Sequence, residues 1–468
     1  MTDLSQLSSD ATSYNTVREG LKKAGYKGKE LDEQLATFQQ DHQQTNHQYY
    51  RRLNRLFGLK EFLDRLAYGF GATQFVTLFF FLTGASAFLV GIINGLKDLL
   101  GGLISSFLHQ YAHVQTLGKN FIANSGILFG FSFLGLVFAI RTHSAPLFAV
   151  FVLLGSIGVV AYGELHMRLF EKSIPHEKKS GFLKKLTRNG LLITALAFVG
   201  SAYLIDRFSK DVLMIGTFSL PLSGYFLIFE AAAIAFILSG FILSKIPDST
   251  ETVTYPFWKF LKEYRHHLRE QRKLFFSNKH IKLLYFANML TTIIQSLGAS
   301  FYGYYIYKLF EHQLFGGFLN VAIIFGIAIL VSFLGPSFTR MVQKSAGLAP
   351  LFVFGTLLIA IMPLTLVYNT HFPAIAVASS AMVIGASTLG VAQGLLTRKL
   401  LFAEERKVFF QSQSVMLIIP FLIFIPAGAY VASNYSFELL FKILLYVLVG
   451  LVTPLYLFLV IQSRKKRL

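Results

Sequence analysis

The chain of 468 residues is 54% hydrophobic, contains 49 phenylalanines and has a mean hydropathy of +0.54, values typical of a protein that crosses a lipid bilayer many times. Its net charge of +19 would suit nucleic acid, but the basic residues lie between the apolar runs, so we expect no nucleic-acid partner. The absence of cysteine excludes disulfides, thiol catalysis and cysteine-ligated metals.

The N-terminal region, residues 1–66, is polar and lacks the apolar stretch of a cleavable signal peptide, so we expect it to stay cytoplasmic. Ser13 to Gln40 predicts a short helical hairpin, which could hold a cytoplasmic protein partner. Tyr49 to Leu66 interleaves arginine and lysine with leucine and phenylalanine, which predicts a juxtamembrane amphipathic helix on an anionic leaflet. The alternative is that these residues form an ordinary solvated segment that leads into the first spanning helix.

Six apolar windows follow, each near the length of a membrane-spanning helix, and together they form a predicted N-terminal six-helix bundle over residues 67–244. The windows are 67–86, 88–108, 120–140, 146–164, 189–207 and 213–243. Only Gly84, Ala85 and Ser86 separate the first two windows. One long helix followed by an interfacial one is therefore the alternative for residues 67–108.

A basic connector, residues 245–280, predicts the cytoplasmic side, because eight basic residues between Pro247 and Lys282 face four acidic ones. Six more windows predict a second bundle over residues 281–462, before a basic tail at 463–468. They are 281–307, 314–334, 347–368, 372–396, 412–432 and 437–461. Twelve spans with both termini cytoplasmic predict a multi-pass protein of the plasma membrane.

A weak internal repeat relates the two halves. Ser106 to Leu108 aligns with Ser332 to Leu334 at a shift of 226 residues, and after a one-residue gap Gly163 aligns with Gly390. Two similar halves in the same orientation indicate an all-α membrane protein built from two pseudo-symmetric six-helix bundles.

These features make the chain resemble the major facilitator superfamily over residues 67–461. That family's loop between the second and third helices of each half carries Gly, three residues, Asp, a basic residue, any residue, Gly and two basic residues. The second-half copy here fits at Gly335, Arg340 and Lys344, whereas Thr339 replaces the Asp and Val342 the second Gly. The resemblance implies a cytoplasmic gating loop there and two bundles that rock about a site lined by the first, fourth, seventh and tenth helices.

The seventh window carries a polar face that we expect to line a substrate path. Its members follow spacings of four, three, four and three: Asn288, Thr292, Gln295, Ala299 and Tyr302. Simple hydrogen bonding between helices is the alternative. Small or polar candidates from the other lining helices are Gln74, Thr77, Gly155, Gly158, Tyr162, Ser379, Ala386, Gly390 and Gln393.

Three charged residues fall near the middle of an apolar window. Lys97 and Asp98 lie near the middle of the second window, where an unpaired charge is costly, so they should face water or substrate. The alternative interpretation is that both residues cap the end of a longer first helix and lie at the membrane interface. Glu230 lies near the middle of the sixth window, and a buried carboxyl there could carry proton coupling, or could be a protonated structural residue.

The chain shows no hydrolase, phosphate-loop or dinucleotide motif. Its histidine pairs are either adjacent, as His266 and His267 are, or without a nearby carboxylate, as His109 and His113 are, so we expect no enzyme, cofactor or metal. We predict a secondary active transporter, a symporter or antiporter coupled to protons. Its substrate would be a small solute or amphipathic compound that is neutral, weakly polar or cationic. The alternatives are a non-transporting anchor or sensor whose N-terminal hairpin binds a cytoplasmic partner, and a lipid flippase.

Overall fold

The computed structural model describes residues 51–114, 119–173, 176–208, 211–215, 218–246 and 256–465. The predicted hairpin over Ser13 to Gln40 lies outside the described residues. Within the described ranges, ten helices are long and apolar enough to cross a membrane. The 32-residue helix Lys279–Phe310 and the shorter apolar helix Ile418–Asn434 are consistent with the twelve crossings that the sequence predicts.

The N-terminal half consists of helices and one hairpin. Its helices are α1 (51–70), α2 (Thr73–Leu82), α3 (Ala87–Val114), α4 (Lys119–Arg141), α5 (Ala145–Ser173), α6 (His176–Arg207) and α7 (Gly224–Ser244). Between α6 and α7, strand β1 (Asp211–Ile215) pairs antiparallel with β2 (Phe218–Leu222). We call the membrane side that carries this hairpin the hairpin side.

Helix α8 (Phe257–Ser277) joins the two halves, and we call its side of the membrane the connector side. The C-terminal half consists of α9 (Lys279–Phe310), α10 (Gly317–Val331), α11 (Gly335–Ala346), α12 (Leu348–Tyr368), α13 (Phe372–Leu400), α14 (Ala403–Met416), α15 (Ile418–Asn434), α16 (Phe437–Val447) and α17 (Thr453–Lys465). A 3₁₀ turn joins α10 to α11, and a π-helical turn joins α16 to α17.

The internal repeat is visible in the helix boundaries. Helices α5 and α13 each have 29 residues, and Ala145 and Phe372, where they begin, stand 227 positions apart. In the N-terminal half α4 packs on α5 and α7, whereas in the C-terminal half α12 packs on α13 and α16. Two seams join the halves, α3 against α15 and α6 against α10. The internal repeat relates one seam to the other, because it pairs α3 with α10 and α6 with α15. The architecture is therefore the two-bundle, all-α fold that the sequence predicts.

Residues 67–108 form parts of two crossings. Helix α2 ends at Leu82 and α3 begins at Ala87, so the alternative of one long helix is wrong. Gly84 has a φ of +86°, a conformation that glycine adopts without strain, and the Thr83 hydroxyl donates to the Phe80 carbonyl at 2.7 Å. The chain therefore reverses within four residues.

Residues 51–66 differ from the predicted surface helix, because they belong to the first crossing. Leu53 and Phe57 are fully buried against α5 and α7, and Lys60 and Asp64 follow them on the same face. The basic residues that suggested a leaflet surface therefore divide between a buried face and an exposed face of α1.

The window 213–243 also differs, because α7 begins only at Gly224 and the preceding residues form the hairpin. A Cβ atom on Gly224 would lie 2.1 Å from the Leu204 carbonyl oxygen, so α7 can start in contact with α6 only because this residue is glycine. The sixth crossing is correspondingly shorter than predicted.

Candidate functional site

Helix α3 presents a narrow, mostly glycine face to the C-terminal half. Gly91, Gly95, Asp98 and Gly102 follow spacings of four, three and four, which places them on one side of the helix. A Cβ on Gly91 would lie 2.6 Å from the Ala429 Cβ, and one on Gly95 would meet Ile425, both on α15. This face brings Asp98 into the α3–α15 seam.

Asp98 is bonded across the two halves of the molecule. The Ser296 hydroxyl of α9 donates to Asp98 Oδ2 at 2.6 Å, and Lys97 Nζ lies 3.9 Å from Asp98 Oδ1. Both charged side chains are partly exposed, as the cost of an unpaired charge at membrane depth requires. Both residues lie in the interior of α3, a helix separate from α2, so they do not cap a longer first helix; that they face water or substrate stays a prediction.

A cavity of about 380 Å³ opens beside this ion pair, within the N-terminal half. Residues of α1 to α5 form its wall, which consists mostly of apolar side chains and glycines, and Thr73, Ser132 and Ser156 add hydroxyl groups. Gly155, one of the predicted lining residues, is part of this wall, whereas Gly158 brings α5 against the α4 backbone at Phe129. The site is thus largely apolar, with one ion pair at its edge.

A second polar cluster lies in the C-terminal half, around the buried Tyr456 of α17. The Tyr456 hydroxyl donates to Asn288 Oδ1 at 2.8 Å and accepts from Gln393 Nε2 at 2.6 Å, while the Thr291 hydroxyl lies 3.2 Å away. Two predicted path residues, Asn288 and Gln393, are therefore brought together. Sequence reasoning missed Tyr456, which stands in a strongly apolar segment.

The predicted polar face of α9 has more than one environment. Asn288 and Tyr302 are buried, and the Tyr302 ring packs on Phe441 at 5.2 Å, whereas Gln295 and Ala299 are exposed. Thr292 is half-buried and bonds within its own helix to the Asn288 carbonyl.

Gln74 of α2 is half-buried and faces α9, because a Cβ on Gly303 would lie 3.7 Å from it. Thr77 accepts a weak bond from Asn94 at 3.4 Å, and Ser379 is buried in α13. Gly390 has open space where a Cβ would stand. These predicted lining residues do not meet at a single point.

The structure places a buried ion pair in the N-terminal half that sequence reasoning missed. Lys60 Nζ lies 2.6 Å from Asp64 Oδ2, and the two residues are 1% and 3% exposed. The Tyr162 hydroxyl donates to Asp64 Oδ1 at 3.0 Å, and the Ser239 hydroxyl donates to the same oxygen at 2.5 Å. The predicted path residue Tyr162 therefore belongs to a bonded network that joins α1, α5 and α7.

The signal for that pair was present in the sequence. Leu53, Phe57, Lys60, Asp64 and Ala67 follow spacings of four, three, four and three, the pattern of one buried helix face. The four-residue separation of a lysine and an aspartate on that face permits an ion pair. The interpretation of Lys60 as one of the basic residues of a surface helix concealed the pair.

Glu230 is exposed, six residues after α7 begins, rather than buried at the middle of the helix. Its setting differs because the hairpin removes the first part of the predicted window. The exposed position lacks the burial on which its predicted proton-coupling role depended.

The predicted gating loop is helical. Gly335 begins α11 and is buried, whereas Arg340 and Lys344 are exposed on that helix. Thr339 stands where the resembled family has Asp, and its hydroxyl lies 3.1 Å from that of Thr388 on α13. A hydroxyl pair within one half thus occupies the position of the expected charge.

The halves are in contact on the hairpin side. The Leu319 amide, in the first turn of α10, donates to Asp206 Oδ2 at 2.8 Å, so a carboxylate of one half caps a helix of the other. The Phe81 and Tyr304 rings stack across the same side with centroids 3.7 Å apart. The molecule is closed at this end.

Two repeated halves, consistent with twelve crossings and joined by two seams that the repeat relates to each other, define the major facilitator type of fold. The nucleoside transporter NupG aligns with a TM-score of 0.63 at 12% identity, covering 86% of this chain and 98% of that one. A bacterial homologue of the iron transporter ferroportin, in an inward-facing state, gives 0.63 at 15%, covering 87% and 98%. A D-xylose-proton symporter gives 0.57 at 16%, covering 86% and 97%. No family model matches the sequence, and no curated protein is significantly similar to it.

Proposed function

We propose that the protein is a secondary transporter that moves a small solute across the membrane by alternating access. The observation that carries this proposal is the bond between Asp98 and Ser296, because it joins the two halves beside a cavity at membrane depth. A carboxylate in such a seam experiences a different environment whenever the halves move. The neighbours of the same fold are transporters of nucleosides, metals, peptides and sugars, which supports the class.

Proton coupling is assigned to Asp98 in this proposal. A protonated Asp98 loses its charge attraction to Lys97 and accepts more weakly from Ser296, so proton binding would loosen the seam. The cavity wall, with its aromatic rings and few hydroxyl groups, favours a small amphipathic compound that is neutral, weakly polar or cationic.

The orientation that we propose places the connector side in the cytoplasm. The described basic residues concentrate there, on α8 at Lys259 and Lys262, on α11 at Arg340 and Lys344, and at the end of α13. That bias is the one that orients multi-pass proteins of the plasma membrane.

The test is proton flux in proteoliposomes, measured with a pH-sensitive dye against pooled solutes. We expect solute-dependent flux that Asp98→Asn abolishes and Glu230→Gln preserves, because only the first carboxylate lies in the seam. Labelled-solute uptake is measured in parallel, so that uncoupled transport is detected.

The outcomes separate the candidate functions. Flux lost in Glu230→Gln but kept in Asp98→Asn would move the coupling site away from the seam. Solute uptake without proton flux would exclude coupling and leave transport intact. If no solute pool produces proton flux or labelled-solute uptake, the anchor or sensor is favoured. Movement of labelled lipid between the leaflets would favour a flippase.

A further inference from the structure

A second face of α1 forms a groove with α6 that the transport proposal does not use. Its α1 members recur every three or four residues, which places them on one side of the helix: Arg51, Asn54, Arg55, Gly58, Glu61, Phe62 and Arg65. Leu186, Asn189, Gly190 and Ile193 of α6 form the opposite wall, and the groove encloses about 510 Å³.

The charge of the groove is concentrated at its connector-side end. Arg65 forms an ion pair with Glu61, with Nε donating to the carboxylate at 2.8 Å, and Gly190 leaves room for the guanidinium because a Cβ there would lie 2.8 Å from Nε. That pair is neutral overall. Arg51 and Arg55, about 15 to 21 Å further toward the connector side, add two positive charges beside the Asn54 amide.

The remaining wall of the groove is apolar. Phe62, Leu186 and Ile193 line it on the membrane side of the two arginines. Leu59 and Leu192, next to the groove on either helix, are 51% and 52% exposed, as expected of side chains that contact lipid tails. A positive end followed by an apolar wall matches a molecule with an anionic head and a hydrocarbon tail.

We propose that this groove is a binding site for one anionic phospholipid of the connector-side leaflet. Arg51 and Arg55 bind the headgroup phosphate, for which planar guanidinium groups have the right donor geometry, with the Asn54 amide as a further donor. An acyl chain lies along Phe62 and Ile193. A lipid that contacts both walls would tie α1 to α6, and this role does not depend on which solute is carried.

The test compares the full chain in nanodiscs of phosphatidylcholine alone and in nanodiscs that also contain phosphatidylglycerol. Bound phosphatidylglycerol is counted by native mass spectrometry, and the melting temperature is recorded. We expect Arg51→Gln/Arg55→Gln to bind this lipid roughly 30-fold more weakly and to lose most of the lipid-dependent rise in melting temperature.

Arg52→Gln is the matched control, because Arg52 is exposed on the same turn of α1 but does not line the groove. It should keep the affinity and the thermal shift of the wild type. Equal losses in Arg52→Gln and in the double variant would show general attraction of a basic surface and overturn the proposal. A thermal shift of the same size with inorganic phosphate in phosphatidylcholine nanodiscs would overturn it too, because the site would then bind a soluble anion.

Discussion

At the scale of single residues, the Lys60–Asp64 pair shows how this chain keeps charge inside an apolar bundle. The Lys60 ammonium also lies over the Tyr162 ring, 4.8 Å from its centroid, and Asp64 accepts from two hydroxyl groups. Burial of either charge alone would be far more costly than burial of the bonded pair. The network therefore fixes the relative positions of α1, α5 and α7.

Lys60→Met should lower the stability of the protein by about 3 kcal/mol, because it leaves Asp64 buried without its cation. Lys60→Met/Asp64→Leu should recover most of the loss, since an apolar pair of similar volume needs no partner. Thermal melting in detergent measures both variants. Arg65→Gln, which breaks the partly exposed Glu61–Arg65 ion pair one residue further along α1, should cost less than about 1 kcal/mol. A Lys60→Met protein as stable as the wild type would show that the pair does not hold the bundle together.

At the scale of elements, the eleventh crossing shows how a proline break is accommodated in an apolar environment. Pro420 has no N–H to donate to the Met416 carbonyl four residues earlier, and the crossing divides at Leu417 into α14 and α15. The Tyr285 hydroxyl of α9 donates to that carbonyl at 2.8 Å. A neighbouring helix thus satisfies the acceptor that the proline leaves free.

Tyr285→Phe should destabilise the protein by about 1 kcal/mol, because the Met416 carbonyl loses its donor. In a Pro420→Ala background the same change should cost much less, since the backbone N–H at position 420 can then serve that carbonyl. A double-mutant cycle of melting temperatures measures this coupling. Strictly additive effects would mean that Tyr285 acts through packing alone.

Much of the fold could be predicted from the sequence, because spans of apolar residues and the bias of basic residues depend on the bilayer alone. The predicted helix boundaries were wrong where a close contact between neighbouring helices sets the start of a helix. Residues 213–215 and 218–222 were predicted to lie in the sixth span, but they belong to the two strands of the hairpin, and α7 starts at Gly224, where the missing side chain admits Leu204.

The candidate site was predicted in part. Lys97 and Asp98 were singled out because charges at membrane depth are rare and expensive. Ser296, Tyr456 and the Lys60–Asp64 pair were missed, because their roles depend on contacts between helices far apart in the chain. Hydropathy assigns a residue to a helix but does not say which other helix it meets.

At the scale of the whole molecule, closure of the hairpin side depends on a contact between the halves. Asp206 accepts the Leu319 amide, and Gly316, with a φ of +110°, leaves room for the carboxylate because its Cβ would lie 3.1 Å from Asp206 Oδ2. A hydrogen bond to a charged group contributes about 1.5–3 kcal/mol. Its loss should therefore shift the equilibrium between closed and open states by roughly 10- to 100-fold.

Asp206→Ala, which removes the acceptor of the Leu319 amide, should populate a state that is open on the hairpin side. Spin labels on Tyr203→Cys and Phe315→Cys, exposed positions of the two halves, report the separation by pulsed dipolar spectroscopy. Because the sequence contains no cysteine, these labels have no competing sites. We expect longer distances in Asp206→Ala and unchanged distances in Arg207→Ala, an adjacent exposed residue. Unchanged distances in both variants would show that the cap does not control closure.

The glycine face of α3 has a further consequence for how the molecule would open. Both seams set glycines against side chains of the other half: Gly91 and Gly95 of α3 against Ala429 and Ile425 of α15, and Gly326 of α10 against Val199 of α6. Helices that approach so closely separate at greater cost than helices spaced by two side chains. The two halves should then pivot about these seams while the helices stay packed along them, so that opening changes the angle between the halves more than the distance between them.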